Sequence, residues 1–292
     1  MKLELLDFSA LSDYPSASGI EFYKGNVYVV GDDAKDVLVM NKKWKKPTLI
    51  NLFPSDTERV PKKIKFDLEA TTLVNIDKKA HLLIMGSGSA EPRNKGFLLN
   101  LKNNSTTKLD LTVFYRRLQE AGLKDLNIEG AATLMDYIIL GNRGNKANPE
   151  NHLIITSTDF FSNQEKAPIQ LLKLEFPVKE QYAGVSGLAY SDDHETLLLT
   201  ISTEDTPNAI DDGPIGKSYL GIIDNFFRKI GREKIKLKIN NLIDLGEADK
   251  QFTGYKIESV CIQSTKDHSM KLQMVADNDD GSSYLFKVWM GW

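Results

Sequence analysis

The residues best suited to do chemistry recur in two columns. The first is Ser18, Glu69, Glu129, Ser186 and Glu258, each followed by a small residue: Gly19, Ala70, Gly130, Gly187 or Ser259. The second is Asp32, Ser87, Asn142, Ser202 and Asp277, each closing the next apolar run. Every member carries a side-chain oxygen. If the glutamates converge on one axis, each ionised pair at roughly 6 Å and an effective dielectric near 20 repels by about 3 kcal/mol. A cation, a basic side chain or protonation of one member must then offset that repulsion. Carboxylates, an amide and hydroxyls suit Ca²⁺ or Mg²⁺ far better than a soft metal. Glu69, Glu129, Glu258, Asp32, Asn142 and Asp277 are therefore the candidate metal ligands. The alternative is a structural network in which these groups take backbone amides and water.

Basic side chains fall close to the same columns. Arg93 and Arg143 occupy corresponding places after the second apolar run of two adjacent repeats, with Lys95, Lys146 and Lys217 nearby. Guanidinium forks match phosphate and carboxylate, so a small anionic ligand or substrate is expected. An ordinary solvated loop charge is the alternative for any one of them.

These residues need a repeating frame, and the sequence contains one. Residues 67–101 read as a short strand opening on Asp67-Leu68-Glu69-Ala70, a turn at Asp77-Lys78-Lys79, an apolar strand ending in Gly86-Ser87-Gly88-Ser89, and a third strand over 96–101. Copies follow the same plan, giving blades of about 18–53, 67–111, 128–176, 185–245 and 257–292. The last copy lacks a fourth strand, while Lys2–Phe8 is a strand without a copy. Pairing the two closes a ring with no free edge. The expectation is an all-β, five-bladed β-propeller in one domain over 1–292, with a six-bladed ring as the alternative. Thr112–Gly122 has helical spacing, with a threonine where an N-cap would sit and a glycine at its end, and reads as a helix between blades. In such a ring the first strand of each blade lines the channel. Its start shares a face with the end of the second strand, so both columns meet at one axial mouth.

Other chemistries find little support. A net charge of −3 and a pI near 5.9 give no basic face for nucleic acid or an anionic membrane. The single cysteine, Cys261, sits mid-strand among apolar residues, reads as a buried inert thiol, and fits a reducing compartment. No apolar run reaches a membrane span, and acids interrupt the first eight residues where a signal peptide needs an apolar core, so a cytoplasmic, monomeric protein is expected. His81, His194 and His268 fall beside turns on the opposite face; only His152 approaches the glutamates, and no pair has zinc-ligand spacing. There is no Gly-x-Ser-x-Gly elbow, Walker loop or dinucleotide fingerprint.

The motifs Leu68-Glu69-Ala70, Ile128-Glu129-Gly130, Ser186-Gly187-Leu188 and Ile257-Glu258-Ser259 resemble those of the esterase-like phytase family and the wider group of calcium-dependent propellers that includes gluconolactonases and phosphotriesterases. That resemblance implies an acidic metal site mapping onto Glu69, Glu129 and Glu258. The mixed Glu, Asn and Asp ligand set of gluconolactonases is met only by adding Asn142 and Asp32 or Asp277. Three functions follow as expectations. One is a metal-dependent hydrolase of a phosphoester or related ester, using Glu69, Glu129, Glu258, Arg93 and Arg143. The second is a noncatalytic propeller binding a small ligand or protein, and the third a purely structural cation or water network.

Overall fold

The computed structural model describes residues 1–177, 182–204, 215–231, 236–278 and 282–292. Its strands, in chain order, begin with β1 (Lys2–Leu11). The first blade follows as β2 (Ala17–Tyr23), β3 (Asn26–Gly31), β4 (Asp36–Asn41) and β5 (Thr48–Asn51). The second is β6 (Leu68–Ile76), β7 (Lys79–Gly86), β8 (Lys95–Asn100) and β9 (Thr106–Asp110). The third is β10 (Ile128–Leu134), β11 (Tyr137–Asn142), β12 (Asn151–Ser157) and β13 (Gln170–Glu175). The fourth opens with β14 (Ala183–Ser191), β15 (Thr196–Glu204) and β16 (Ile215–Ile223). After β17 (Lys236–Lys238) and β18 (Asn241–Asp244), the last blade is β19 (Lys256–Lys266), β20 (Ser269–Asp277) and β21 (Ser283–Gly291).

The five sheets make a five-bladed β-propeller. The closure expected from the unpaired terminal segments is present: β1 runs antiparallel to β21 from Lys2 opposite Gly291 to Leu11 opposite Ser283. No edge is left at the seam. Adjacent blades bury five apolar layers between them. Typical are Leu82, Ile84, Leu68 and Val30 between the first two blades, and Ile257, Leu272, Leu198 and Leu220 between the last two. The second strands of the blades are buried on both faces, so their sequences, such as Val27–Val30, Leu82–Met85, Ile138–Leu140 and Leu197–Leu199, are short apolar runs rather than strict alternations.

Two details depart from the sequence reading. The segment expected to supply only the fourth strand of blade four is shared: β18 completes that blade, while β17 adds to blade three, parallel to β13. Leu237 and Ile239 follow the apolar surface of Leu172 and Leu174, and the outer edge of blade three is thereby covered. The interblade helix exists as α1 (Thr112–Glu120), but its threonine is the first helical residue and not the cap. Asp110 Oδ1 accepts the Thr112 N–H at 3.0 Å instead. Helix α1 buries Phe114, Tyr115 and Leu118, and the Tyr115 hydroxyl donates to the Gly86 carbonyl at 2.5 Å. The Tyr115 ring lies so close beneath Gly88, at φ +74°, that a Cβ there would meet it at 2.8 Å. The helix thus holds the turn that presents Ser87 and Ser89. The loop between Glu204 and Ile215 and the acids at 279–280 fall outside the described residues.

Candidate functional site

The first column shares one backbone device. In all five inner strands the register slips at the column residue: between Ala17 and Gly19, Leu68 and Ala70, Ile128 and Gly130, Val185 and Gly187, and Ile257 and Ser259. Ser18, Glu69, Glu129, Ser186 and Glu258 are therefore β-bulge residues, and the bulge re-aims each side chain away from its regular strand direction. The small residue that follows lets neighbouring inner strands crowd together. A Cβ on Gly187 would lie 2.6 Å from the Ser259 Cα, and one on Gly130 would lie 2.9 Å from the Gly187 backbone.

The two serine members serve the backbone. Ser18 Oγ donates to the Ser16 carbonyl at 3.1 Å and Ser186 Oγ to the Ile257 carbonyl at 2.7 Å. The glutamates enter two charge networks. In one, Arg143 reaches Glu129 at 3.4 Å, Glu204 at 3.3 Å and the Ser202 hydroxyl at 3.0 Å, and Lys256 reaches Glu204 at 2.9 Å and Glu258 at 3.1 Å. Asn127 Nδ2 also donates to Glu129 at 2.5 Å. In the other, Lys65 bridges Asp32 and Asp67, while Arg93 donates to Asp67 at 2.8 Å and to Ser89 at 2.7 Å. Ser87 donates to the same Asp67 at 2.5 Å. Asp32, Asp67 and Glu69 offer oxygens all within 4.8 Å of one another. Beside them lies a cavity of about 320 Å³ lined by Asp32, Asp33, Asp277, Arg59, Lys62 and Lys65.

The arrangement gathers Glu69, Glu129, Glu258, Asp32, Asp277, Arg93 and Arg143 at one mouth. Asn142 faces elsewhere: its amide oxygen accepts the Asn127 N–H at 2.9 Å and its nitrogen donates to the Asp125 carbonyl at 3.2 Å. His152, opposite Asn142 in the sheet, opens on a separate cavity with Asp125, Asn148 and Glu150, and burial holds its pKa below the usual histidine value. Lys95 pairs with Asp110, Lys217 with Asp244, and Lys146 stacks over Tyr182, all as local surface contacts. Cys261 is buried, and burial pushes its thiol well above the ordinary range.

Reading the columns alone misses Lys65, Asp67, Glu204 and Lys256. A signal for them exists: Lys65, Asp67 and Glu69 are spaced by two, as are Ser202 and Glu204, and Lys256 and Glu258.

Burial dominates the electrostatics. Among the described residues, carboxyls at this mouth (Asp32, Asp33, Asp67, Glu69, Glu129, Glu204, Glu258, Asp277) outnumber cations (Arg59, Lys62, Lys65, Arg93, Arg143, Lys256). Burial raises Glu69 well above the usual carboxyl range, with Asp67 and Glu129 adding repulsion. It lifts Glu258 to about 8 against the opposing pull of Lys256, and Asp32 to about 6 against that of Lys65. Glu129 rises as well, restrained by Arg143. The repulsion expected among the glutamates is thus offset by basic side chains and by proton retention. Asp32 Oδ1 and Glu258 Oε2 remain buried without a hydrogen-bond partner. Such a mouth can exchange protons near neutral pH and can take additional positive charge.

A family model described as a Family of unknown function (DUF6929) matches residues 13–290. No curated protein matches the sequence. Among solved structures, the glutaminyl cyclase of Myxococcus xanthus superposes with a TM-score of 0.56 at 8% identity, covering 99% of this chain and 97% of that one. A GH43 beta 1,3 galactosidase, BT3683, solved with galactodeoxynojirimycin, gives 0.52 at 11% identity, covering 95% and 94%. At such identities the likeness speaks to the fold alone, and it supports the propeller part of the sequence resemblance. No helix among the described residues is long and apolar enough to cross a membrane.

Proposed function

The chain belongs to the DUF6929 family, and from its acidic mouth we propose a hydrolase that acts on an ester or phosphoester with the help of a divalent cation. The observation that carries this reading is the trio Asp32, Asp67 and Glu69, whose carboxyl oxygens lie within 4.8 Å of one another in a mouth where acids outnumber bases. An oxygen-only donor set of this kind fits Ca²⁺ or Mg²⁺, and the partnerless Oδ1 of Asp32 has a lone pair to give. The Lys65 ammonium rests on Asp32 and Asp67 and is the group a metal would displace. Such an ion supplies Lewis acidity and a more acidic water.

The chain's own residues do the remaining work. Glu258, held near a pKa of about 8, and Glu129 are suited to give and take the proton. Arg143 and Lys256 fix these two glutamates, and Arg93 with Ser87 fixes Asp67. Because both arginines are engaged by carboxylates, an anionic substrate would be drawn by the metal rather than by a free guanidinium. That same engagement favours a second reading, a noncatalytic propeller that binds a ligand at the mouth.

Adding Ca²⁺ or Mg²⁺ to metal-stripped protein should raise its melting temperature. The metal should also switch on cleavage of p-nitrophenyl phosphate, p-nitrophenyl acetate or a lactone, with EDTA reversing both effects. Glu69→Gln should weaken the thermal response and cut turnover by about 100-fold, whereas Lys65→Met should strengthen metal binding by removing its competitor. An unchanged melting temperature with either ion rules the metal out. Stabilisation without turnover of any ester selects the binding reading.

A further inference from the structure

The channel has a second end. Three residues beyond the bulge column, the inner strands carry Glu21, Thr72, Ala132, Ala189 and Cys261, followed by Phe22, Leu73, Thr133, Tyr190 and Ile262. All ten line one cavity of about 270 Å³, with Asp192 at its border. The crowding of inner strands at Gly19, Gly130 and Gly187 lies between this cavity and the acidic mouth, so the two are separate compartments.

Three observations describe what the cavity wants. First, its walls mix apolar side chains with hydroxyl and carboxyl groups, and none of its lining residues is basic. Second, its hydroxyl protons are already committed: Thr133 donates to the Leu73 carbonyl at 2.7 Å, so in the 3.0 Å contact between the two hydroxyls Thr72 is the donor. What Thr72 has left for the cavity is acceptor capacity. Third, Glu21 stands among these residues with the Phe22 backbone N–H to stabilise its charged form, and no ion pair reaches it or Asp192 among the described residues. Burial accordingly pushes its carboxyl up to about 8, with Cys261, Tyr190 and Asp192 as the titratable groups lining the same cavity. A chamber with apolar patches, two carboxyls (Glu21 and Asp192) without a basic partner and surplus acceptors is complementary to a cation with N–H donors and a hydrocarbon body.

We propose that this lower mouth is a second binding site, for a small organic ammonium ion carried on a short apolar body. Its ammonium would pair with Glu21 and donate to Thr72, while Phe22, Leu73, Ala189 and Ile262 enclose the hydrocarbon. Binding requires the ionised carboxylate and therefore releases its proton. Affinity tightens by up to about tenfold per pH unit below the Glu21 pKa and levels off above it.

The test uses isopentylamine against its neutral isostere isopentanol, with the full chain. Isothermal titration at pH 8.5 should show saturable binding of the amine at least tenfold tighter than that of the alcohol. Glu21→Gln should abolish that preference. The melting temperature gives a second readout in the unmutated protein: at pH 8.5 the amine should raise it and the alcohol should not. Equal binding of amine and alcohol, an unchanged preference in Glu21→Gln, or no saturable binding with no shift in melting temperature would each overturn the proposal. None of these outcomes touches the acidic mouth, so they stand apart from the hydrolase reading.

Discussion

The two mouths are built from the same five strands, three residues apart, and they are opposite in character. At the upper mouth, bulges turn three glutamates toward a crowd of acids and bases, and each buried charge there has neighbours of both signs. At the lower mouth the register is regular in the first four blades, with one bulge after Ile262 in the fifth, the walls mix apolar side chains with hydroxyls, and Glu21 and Asp192 stand without a cation. Desolvation acts on both. Where opposite charges converge, it is offset by a network that removal of any member would unbalance. Where a carboxyl is alone, proton retention does the offsetting. Scaffold symmetry therefore does not confer chemical symmetry: the bulge and the two-residue spacing of charges beside it decide which mouth is polar.

The largest expected effect breaks the upper network. Arg143→Met leaves Glu129 and Glu204 without their shared guanidinium, and urea denaturation at pH 7 should show a loss of about 3–5 kcal/mol. At pH 5 the loss should shrink, because Glu129 can take a proton in place of the missing cation. An equal loss at both pH values would mean that packing, and not charge, is what Arg143 contributes.

A smaller effect is expected at the level between the mouths. Gly187→Ala puts a Cβ 2.6 Å from the Ser259 Cα and 2.8 Å from the Glu258 carbonyl oxygen, both backbone atoms that cannot swing aside. A destabilisation of about 1–3 kcal/mol follows. If melting is unaffected, the inner strands are not in the contact that separates the two compartments.

The smallest effect isolates the lower mouth. Glu21 titrates near 8 in the folded protein against an ordinary 4.5. Its raised pKa means that the folded chain holds a proton the unfolded chain has lost, so the stability it contributes is full below about 4.5 and gone once pH passes about 8. Glu21→Gln lacks that slope. The full shift would correspond to about 5 kcal/mol. Glu21 is only partly buried, however, and solvent screens much of that. The variant's melting temperature should therefore match the parent near pH 4.5 and exceed it by about 2 °C at pH 9, equivalent to about 1 kcal/mol for a chain of this length. A parallel pair of melting curves would show that Glu21 is solvated.

Much of this was legible in the residues. The apolar runs and turn residues placed nearly every strand, and the pairing of terminal segments closed the ring as expected; from the two oxygen-bearing columns, Asp32, Glu69, Glu129, Ser202 and Glu258 lie within the charge networks described above. Less legible were the partners. Lys65 lies in a polar loop and Asp67 at its end, in positions that look like surface until the loop folds over the mouth and buries the lysine amine against Asp32. Asn142 belongs to its column by position, yet backbone N–H and carbonyl groups from 125–127 claim its amide first. The transfer of β17 to the neighbouring blade could not be read from a three-residue segment whose partner lies some sixty residues earlier.

What the sequence determines by itself is local and periodic: where strands start and stop, which residues open each inner strand, and hence a five-fold frame with glutamates returning to its axis. Those properties depend on backbone sterics and burial within a few residues. Whether a glutamate ends beside an arginine, a lysine or only apolar walls depends on side chains brought from distant blades and on the dielectric they enclose. Folding alone decided that the same frame would carry a dense ionic mouth at one end and carboxyls without a basic partner at the other.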